Sequence, residues 1–428
     1  MTDEIRKRIE LVKNGEVPEG YQINERIGIA PITWECGILS DVLKSDQRPV
    51  PKPNKAYWRL GLRSHAKGTF YELVENPEAV AMDELFEVKE NDLIVNITFA
   101  WEHAIALANK NDEGKLVSHR FPTYVFKGSN CAKYYERIVI QKRFKEMLGN
   151  ISPGGAGRNR VLSKPNFLKL PCYIPPVDEQ EKIANILNHC DMVIKLKKQL
   201  IAEEYKQKSW LIEKLLNPES GVRLPGFEGN WSKKVLSFLG HFSKGTGISN
   251  GDCASGEMPC IKYGDIYMNY DVQFTKTVSF ATETAVKASP KIQSGTLLFA
   301  GSGEDRMEIG KCTAYMGTIP IAVGGDIIIM KVDCKKANPI FLSYQQNSDN
   351  LVKQKARLAQ GYSIVHLYAD HIKGLQVFIP PTIEEQTAIA NILSIEDRKI
   401  ELLEQELDQW QQKKKALMQL LLTGIVRV

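Results

Sequence analysis

With 428 residues, 43% hydrophobic and 25% charged, the chain has the composition of a globular protein of two or three domains. A net charge of +5 is too mild to mark a general polyanion binder, so any nucleic-acid footprint must be local. The eight cysteines, at 36, 131, 172, 190, 253, 260, 312 and 334, form no CxxC pair and no metal spacing; no apolar run reaches membrane-span length, and the first residues lack a signal-peptide core, so reduced thiols, no membrane partner and a cytoplasmic location are expected.

In chain order, Ile5 to Lys13 predicts a short helix, followed by Val17-Pro18-Glu19-Gly20-Tyr21 and then Trp34 with Leu39-Ser40. Short β-type runs follow at 92–97 and 122–126, and a helix-like stretch from Tyr134 to Leu148. Ile174-Pro175-Pro176 then leads into Glu179-Gln180 and Ile183-Ala184-Asn185-Ile186-Leu187. After that the series starts again. Leu224-Pro225-Gly226-Phe227 precedes Trp231 with Leu236-Ser237, β-type runs lie at 296–299 and 326–330, and Ile340 to Leu358 is helix-like. Ile379-Pro380-Pro381, Glu385-Gln386 and Ile389-Ala390-Asn391-Ile392-Leu393 complete the second copy, at a constant offset of 385 − 179 = 206 and 421 − 215 = 206.

Each proline pair opens a long helix, over 179–217 and 385–423, with no Gly or Pro inside and Thr382 and Glu385 placed for a capping box. At about 1.5 Å per residue each is roughly 50 Å long. Apolar residues recur at alternating steps of four and three: Ile183, Leu187, Ile194, Ile201, Leu211 and Leu215 in the first, and Ile389, Leu393, Ile400, Leu403, Leu407, Trp410, Leu417 and Leu421 in the second. Matched heptad seams predict that the two helices pack on each other as a coiled coil. The expected fold is α+β: two mixed α/β domains in pseudo-two-fold arrangement, separated by the two helices. The boundaries are 1–17 for an N-terminal helical segment, 18–175 for domain 1, 176–217 for the first spacer helix, 218–380 for domain 2, and 381–428 for the second helix and tail. Leu421 to Arg427 resembles the passage from Leu215 to Arg223, so the repeat reads as a ring cut once, with its ends expected near each other.

Catalytic motifs are missing. Asn338-Pro339-Ile340-Phe341 lacks the second proline of an amino-methyltransferase motif, Gly303 to Thr313 has the wrong spacing for a phosphate loop, and Gly154-Gly155-Ala156-Gly157 is not flanked as a dinucleotide fingerprint. No catalytic residue and no metal ligand is expected, and His103 and His119 read as structural. Binding signals are clearer. The stretch from Met147 to Val177 has no acid but carries Arg158, Arg160, Lys164 and Lys169 beside Gly155, and arginines bridge phosphates or read guanine edges. Its counterpart holds Lys353, Lys355, Arg357, Gly361 and Tyr362. Arg59, Arg63, His65 and Lys67 lie near Tyr57 and Trp58; Lys262 and Tyr263 are their counterparts, and Ser302 to Arg306 forms a polar loop.

Two divergent domains, each followed by Ile-Pro-Pro…Glu-Gln…Ile-Ala-Asn-Ile-Leu, and the entry Pro225-Gly226-Phe227-Glu228-Gly229-Asn230-Trp231 resemble the specificity (S) subunit of type I restriction–modification systems, over nearly the whole chain. The resemblance implies that each domain reads one half of a bipartite, asymmetric site in double-stranded DNA. It implies that the helices pair antiparallel and fix the separation of the half-sites. It also implies that the chain has no cofactor of its own. Two methyltransferase (M) subunits and restriction (R) subunits would supply S-adenosylmethionine, ATP and Mg²⁺ chemistry. Lys197, Glu204 and Lys208 depart from the apolar seam, and are candidates for facing the M subunits. The other readings are a self-sufficient modification or restriction enzyme, which the missing motifs oppose, and an assembly scaffold without DNA readout.

Overall fold

The computed structural model describes residues 2–154, 160–254 and 256–428. The chain divides into two compact units, Met1–Lys197 with Glu406–Val428, and Lys198–Gln405. The division therefore falls inside both long helices, Val177–Leu215 and Ile383–Leu421, rather than at their ends.

In the first unit a four-stranded antiparallel sheet runs Ile105–Leu107, Leu93–Val95, Thr123–Phe126, Leu43–Ser45. A five-stranded sheet runs Pro49–Pro51, Glu84–Glu87, Leu116–Val117, Tyr57–Leu62, Thr69–Val74, with one parallel pair. The second unit reuses the plan with different strands. Its five-stranded sheet runs Gly240–Lys244, Ile327–Val332, Thr296–Ala300, Cys312–Tyr315, Gln273–Phe274, and its four-stranded sheet runs Ser279–Ala281, Met258–Ile261, Ile321–Val323, Lys291–Ile292. A mixed α/β layout without βαβ alternation is what the short, Gly- and Pro-bounded runs predicted.

Each unit is closed in the same way. The strand after the tryptophan pairs antiparallel with the strand that enters the proline pair: Glu35–Ile38 with Pro171–Ile174, and Ser232–Val235 with Gln376–Ile379. The Glu-Gln pair that follows then ties the helix to its domain. Glu179 is buried and accepts from Trp34 Nε1 at 2.9 Å and from Arg427 at 2.6 and 2.8 Å; Glu385 accepts from Trp231 Nε1 at 3.3 Å and from Arg223 at 3.0 and 2.8 Å. Gln180 accepts from the backbone N–H of Cys131 at 2.9 Å, and Gln386 from that of Asn338 at 2.8 Å, each at the start of a domain helix. Thr382 caps Glu385 N–H at 3.2 Å, but the Glu385 side chain turns to Arg223 and Trp231, so the capping box is only half formed.

The two long helices are in contact along their apolar stripes. Ile183, Leu187 and Leu421 enter the first unit's core with Trp34, and Leu215, Ile389 and Leu393 enter the second's, while Ile201 and Ile400 are buried on the helices themselves. Ile194, Leu211, Leu403, Leu407, Trp410 and Leu417 are half-buried in register. Within each unit the helices pair antiparallel: Asp191 with Lys414 and Lys197 with Glu406 (2.5 Å) in the first, Tyr205 with Glu404 (2.9 Å) and Lys208 with Asp397 (2.5 Å) in the second. The polar positions in the seam are Lys197, Glu204 and Lys208. Each pairs with an oppositely charged residue of the second helix, Glu204 with Lys399, so none needs a partner subunit to meet its charge. Lys399 holds the Glu204 carboxyl below its ordinary range, and burial beside Glu204 pushes Glu396 up.

Two helix-like stretches are each broken into two helices, Ala132–Val139 with Lys142–Asn150, and Pro339–Gln346 with Asp349–Leu358. In the second case Asn347 leaves the helix to bond both the N–H and the carbonyl of Cys312, and Ser348 begins the next helix in extended conformation. The N-terminal helix Asp3–Lys13 and the tail meet in the first unit, where Arg8 donates to Ile425 O (3.4 Å) and Tyr21 OH to Gly424 O (2.7 Å).

Candidate nucleic-acid interface

In the first unit Tyr57–Leu62 and Thr69–Val74 pair in continuous register, and the tip between them carries Arg63, His65 and Lys67, all exposed. The tip is rigid for a local reason. His65 and Ala66 both sit at positive φ, 63° and 51°, which residues with a Cβ seldom adopt unless their surroundings enforce it. Here Glu102 O accepts from His65 N–H and His103 O from Ala66 N–H, both at 2.8 Å, and Glu102 Oε2 accepts from Ser64 Oγ at 2.6 Å. Gly61 has no Cβ because the Phe70 ring occupies that position, and the Arg63 guanidinium lies 5.9 Å above that ring. Arg59 is different. It lies further along the strand and pairs with Glu72 at 2.6 Å.

The second basic stretch reaches the same segment. Leu162 N–H donates to Ile97 O at 2.8 Å, and the Arg160 guanidinium stacks 5.7 Å from the Trp101 ring centre, one residue from the Glu102 that holds the hairpin tip. Trp101 is fixed by donating to Thr98 O at 3.1 Å. Residues 97–103 thus gather Arg63, His65, Lys67 and Arg160 on one structure, a grouping absent from the sequence order. Trp101 was missed as a site residue; the aromatic cluster Phe99-Ala100-Trp101 between two apparent strands was the available signal. Lys164 opens the helix Lys164–Leu168 and is half-buried, and Gly155 and Arg158 lie outside the described residues. His103 is buried against Val139 O at 2.7 Å, and burial pushes its imidazole pKa down, in keeping with a structural role.

In the second unit Arg306 donates to the carbonyls of Ala359 and Gly361 at 2.8 Å each, clamping the loop that carries the fully exposed Tyr362. The strand pair Ser302–Gly303 with Val365–His366 braces the other side, and Arg357 is exposed nearby in sequence. Two candidates need correcting. Ser302 is buried and bonded to His366 Nδ1 at 2.9 Å, so it shapes the loop rather than meeting a ligand. Lys355 is 1% exposed, with its ammonium on Gly310 O at 2.5 Å, beyond the reach of any duplex. Lys262 is half-buried and donates to Asn250 Oδ1 at 3.0 Å; Tyr263 beside it is exposed. They begin the helix Tyr263–Met268, whose Tyr267 donates to Ser302 O at 3.0 Å. Asn338-Pro339 is a helix start, with the Asn338 side chain accepting from Ile340 and Phe341 N–H.

The model of the family described as type I restriction modification DNA specificity domain matches residues 31–203 and again 229–412. Among curated proteins, the MjaVIII specificity subunit of a type I restriction enzyme from Methanocaldococcus jannaschii is 26% identical over 312 residues, 68% of this chain and 70% of that protein. Among solved structures, the type I restriction-modification S subunit from M. genitalium superposes with a TM-score of 0.55 at 15% identity, covering 94% of this chain and 97% of that one. The HsdS subunit from Thermoanaerobacter tengcongensis gives 0.50 at 13% identity, covering 93% and 98%.

Proposed function

The chain belongs to the type I restriction modification DNA specificity family, with that family's domain present twice, and from that premise we propose that its two units read the two halves of a bipartite, asymmetric site in double-stranded DNA. The observation that carries this reading is the contrast between what the units share and what they do not. The Trp–Glu–Arg node recurs in both, whereas the candidate rims carry different side chains: exposed Arg63, His65 and Lys67 with half-buried Arg160 in one, exposed Arg306, Arg357, Tyr362 and Tyr263 with half-buried Lys262 in the other. A common scaffold with dissimilar rims suits two half-sites of unlike sequence. Arginine and lysine side chains supply phosphate contacts and guanine readout.

Two M subunits and R subunits are the proposed partners, carrying S-adenosylmethionine, ATP and Mg²⁺, and the chain itself takes no cofactor. The long helices set the unread spacer. Removing one heptad from each helix at facing positions keeps the four–three register and shortens the rod by roughly 10 Å. At 3.4 Å per base pair, the spacer mapped by sequencing methylated adenines is expected to lose about three base pairs. An unchanged spacer would refute the role given to the helices. Arg63→Ala and Arg160→Ala are each expected to weaken binding of the assembled complex about 10-fold and to relax one half-site only. Equal loss on unrelated duplexes would reduce both to phosphate contacts. A purified chain that methylated or cut DNA alone would instead favour a self-sufficient enzyme.

A further inference from the structure

Each unit holds a second polar node, farther along its long helix than the Trp–Glu–Arg node. In the first unit Asp191 accepts from the Arg137 guanidinium at 2.8 Å and from the Lys414 ammonium, and Arg137 also donates to Asn188 Oδ1 at 2.6 Å. In the second, Asp397 accepts from the Lys208 ammonium at 2.5 Å and from the Tyr344 hydroxyl, which lies 3.4 Å from Ser394 Oγ. The helix members repeat at the offset of the whole chain: 397 − 191, 394 − 188 and 414 − 208 each give 206. The domain members match as well, for Arg137 and Tyr344 are each the sixth residue of their helices, Ala132–Val139 and Pro339–Gln346. In each unit one acid of a long helix joins the domain to both helix segments.

The side chains that meet the acid differ, yet the joint is kept. Arg137 brings a charge and a fork that spans Asn188 and Asp191. Tyr344 brings one hydroxyl, and there the segment 271–273 supplies the rest: Gln273 Nε2 donates to Ser394 Oγ at 3.2 Å, and Asp271 lies 3.3 Å from the Lys208 ammonium. A joint rebuilt from other side chains at the same place answers a demand on geometry. Spacing shows which. Glu179 and Asp191 are twelve residues apart, as are Glu385 and Asp397, about 18 Å along a helix. Between them Ile183 and Leu187, or Ile389 and Leu393, lie in the domain core. Apolar contact is non-directional, so it resists separation better than rotation. A domain held at one polar node can pivot; two nodes that far apart fix its tilt.

We infer that Asp191 and Asp397 are positioning residues for DNA recognition: with Arg137 and Tyr344 they fix the tilt of each domain on the helix segments of its own unit, and so the one spacer length the chain accepts. This rests on the DNA-specificity reading. Helix length then sets the mean spacer, and the two acids set how strictly it is kept.

The experiment uses the chain assembled with its methyltransferase subunits, and modified sites are sorted by spacer length. Asp191→Asn and Asp397→Asn are each expected to lower discrimination against spacers one base pair longer or shorter about 10-fold, with the bases read in each half-site unchanged. Tyr344→Phe removes a hydroxyl and almost no volume, so it carries the test if a variant of the acids does not assemble. It is expected to widen the spacer range in the same way, and Tyr344→Phe with Asp397→Asn to go no further than Asp397→Asn alone. The tilt is read without DNA as the spread of distances between spin labels at Lys110 and Lys195, both exposed and both in the first unit, which is expected to broaden in Asp191→Asn. An unchanged spacer range in the variants, or equal loss of modification at every spacer, would overturn the assignment. Broadened label distances in a complex whose wild type modifies no bipartite site would uphold the joint and overturn the specificity reading beneath it.

Discussion

Glu385→Ala is expected to destabilise the second unit by about 3 kcal/mol, and Glu179→Ala to do the same to the first. Each carboxylate is almost fully buried, 1% and 4% exposed at the side chain, and each holds an arginine and a tryptophan N–H. Removing the acid strands a guanidinium and an indole donor in a site closed to most solvent. Loss of one member of a buried pair costs about 3–5 kcal/mol. The arginines keep 31% and 39% of their side chains exposed, so water restores part of their solvation and the lower end applies. Glu385→Gln keeps one acceptor and is expected to cost roughly half as much. Arg223→Met combined with Glu385→Ala is expected to cost less than Glu385→Ala alone, because no uncompensated charge remains. Urea unfolding with separate probes for each unit measures this; equal stability of wild type and Glu385→Ala would show that the node is not what joins helix to domain.

Lys355→Met is the opposite case, a buried charge whose removal is expected to stabilise. Among the described residues Lys355 has no acid beside it, only Gly310 O and the buried Cys312, whose thiol burial pushes up to about 12 and so leaves uncharged. Burial lowers the Lys355 pKa from 10.5 to about 8. The sign follows from proton counts. Between about pH 8 and 10.5 the unfolded chain holds the proton and the folded chain does not, so stability rises with pH across that window and is flat below it. A shift of this size corresponds to about 3 kcal/mol, lost at neutral pH and regained above the window. Lys355→Met, similar in volume, is expected to be more stable at pH 7 and to lack the rise between pH 8 and 10. A rise of equal size in the variant would assign it to other groups.

The organisation of the chain was legible because a heptad seam is a local, repetitive signal. Every seam residue from Ile183 to Leu215 and from Ile389 to Leu421 lies inward, and even the polar interruptions keep the register. The interface was half legible. Arg63 and Arg160 were both identifiable as basic residues near glycine or aromatics, but their meeting on residues 97–103 depends on four hydrogen bonds and a ring stack between segments far apart in sequence. Lys355 misled for a specific reason. Counting charges from Lys353 to Arg357 ignores helical periodicity; four residues after the buried Leu351, Lys355 falls on the core face, while Lys353 and Arg357 face out.

The discontinuity of the first unit bears on the order of events during synthesis. Residues 198–405 form a continuous run and can complete their unit as they emerge, but Glu179 meets Arg427 only after a further 427 − 179 = 248 residues have been added. At about 5–20 residues per second that is roughly 12–50 s during which Trp34 and Glu179 await the arginine that completes their node. The first unit's node is therefore closed by a segment translated after the whole of the second unit.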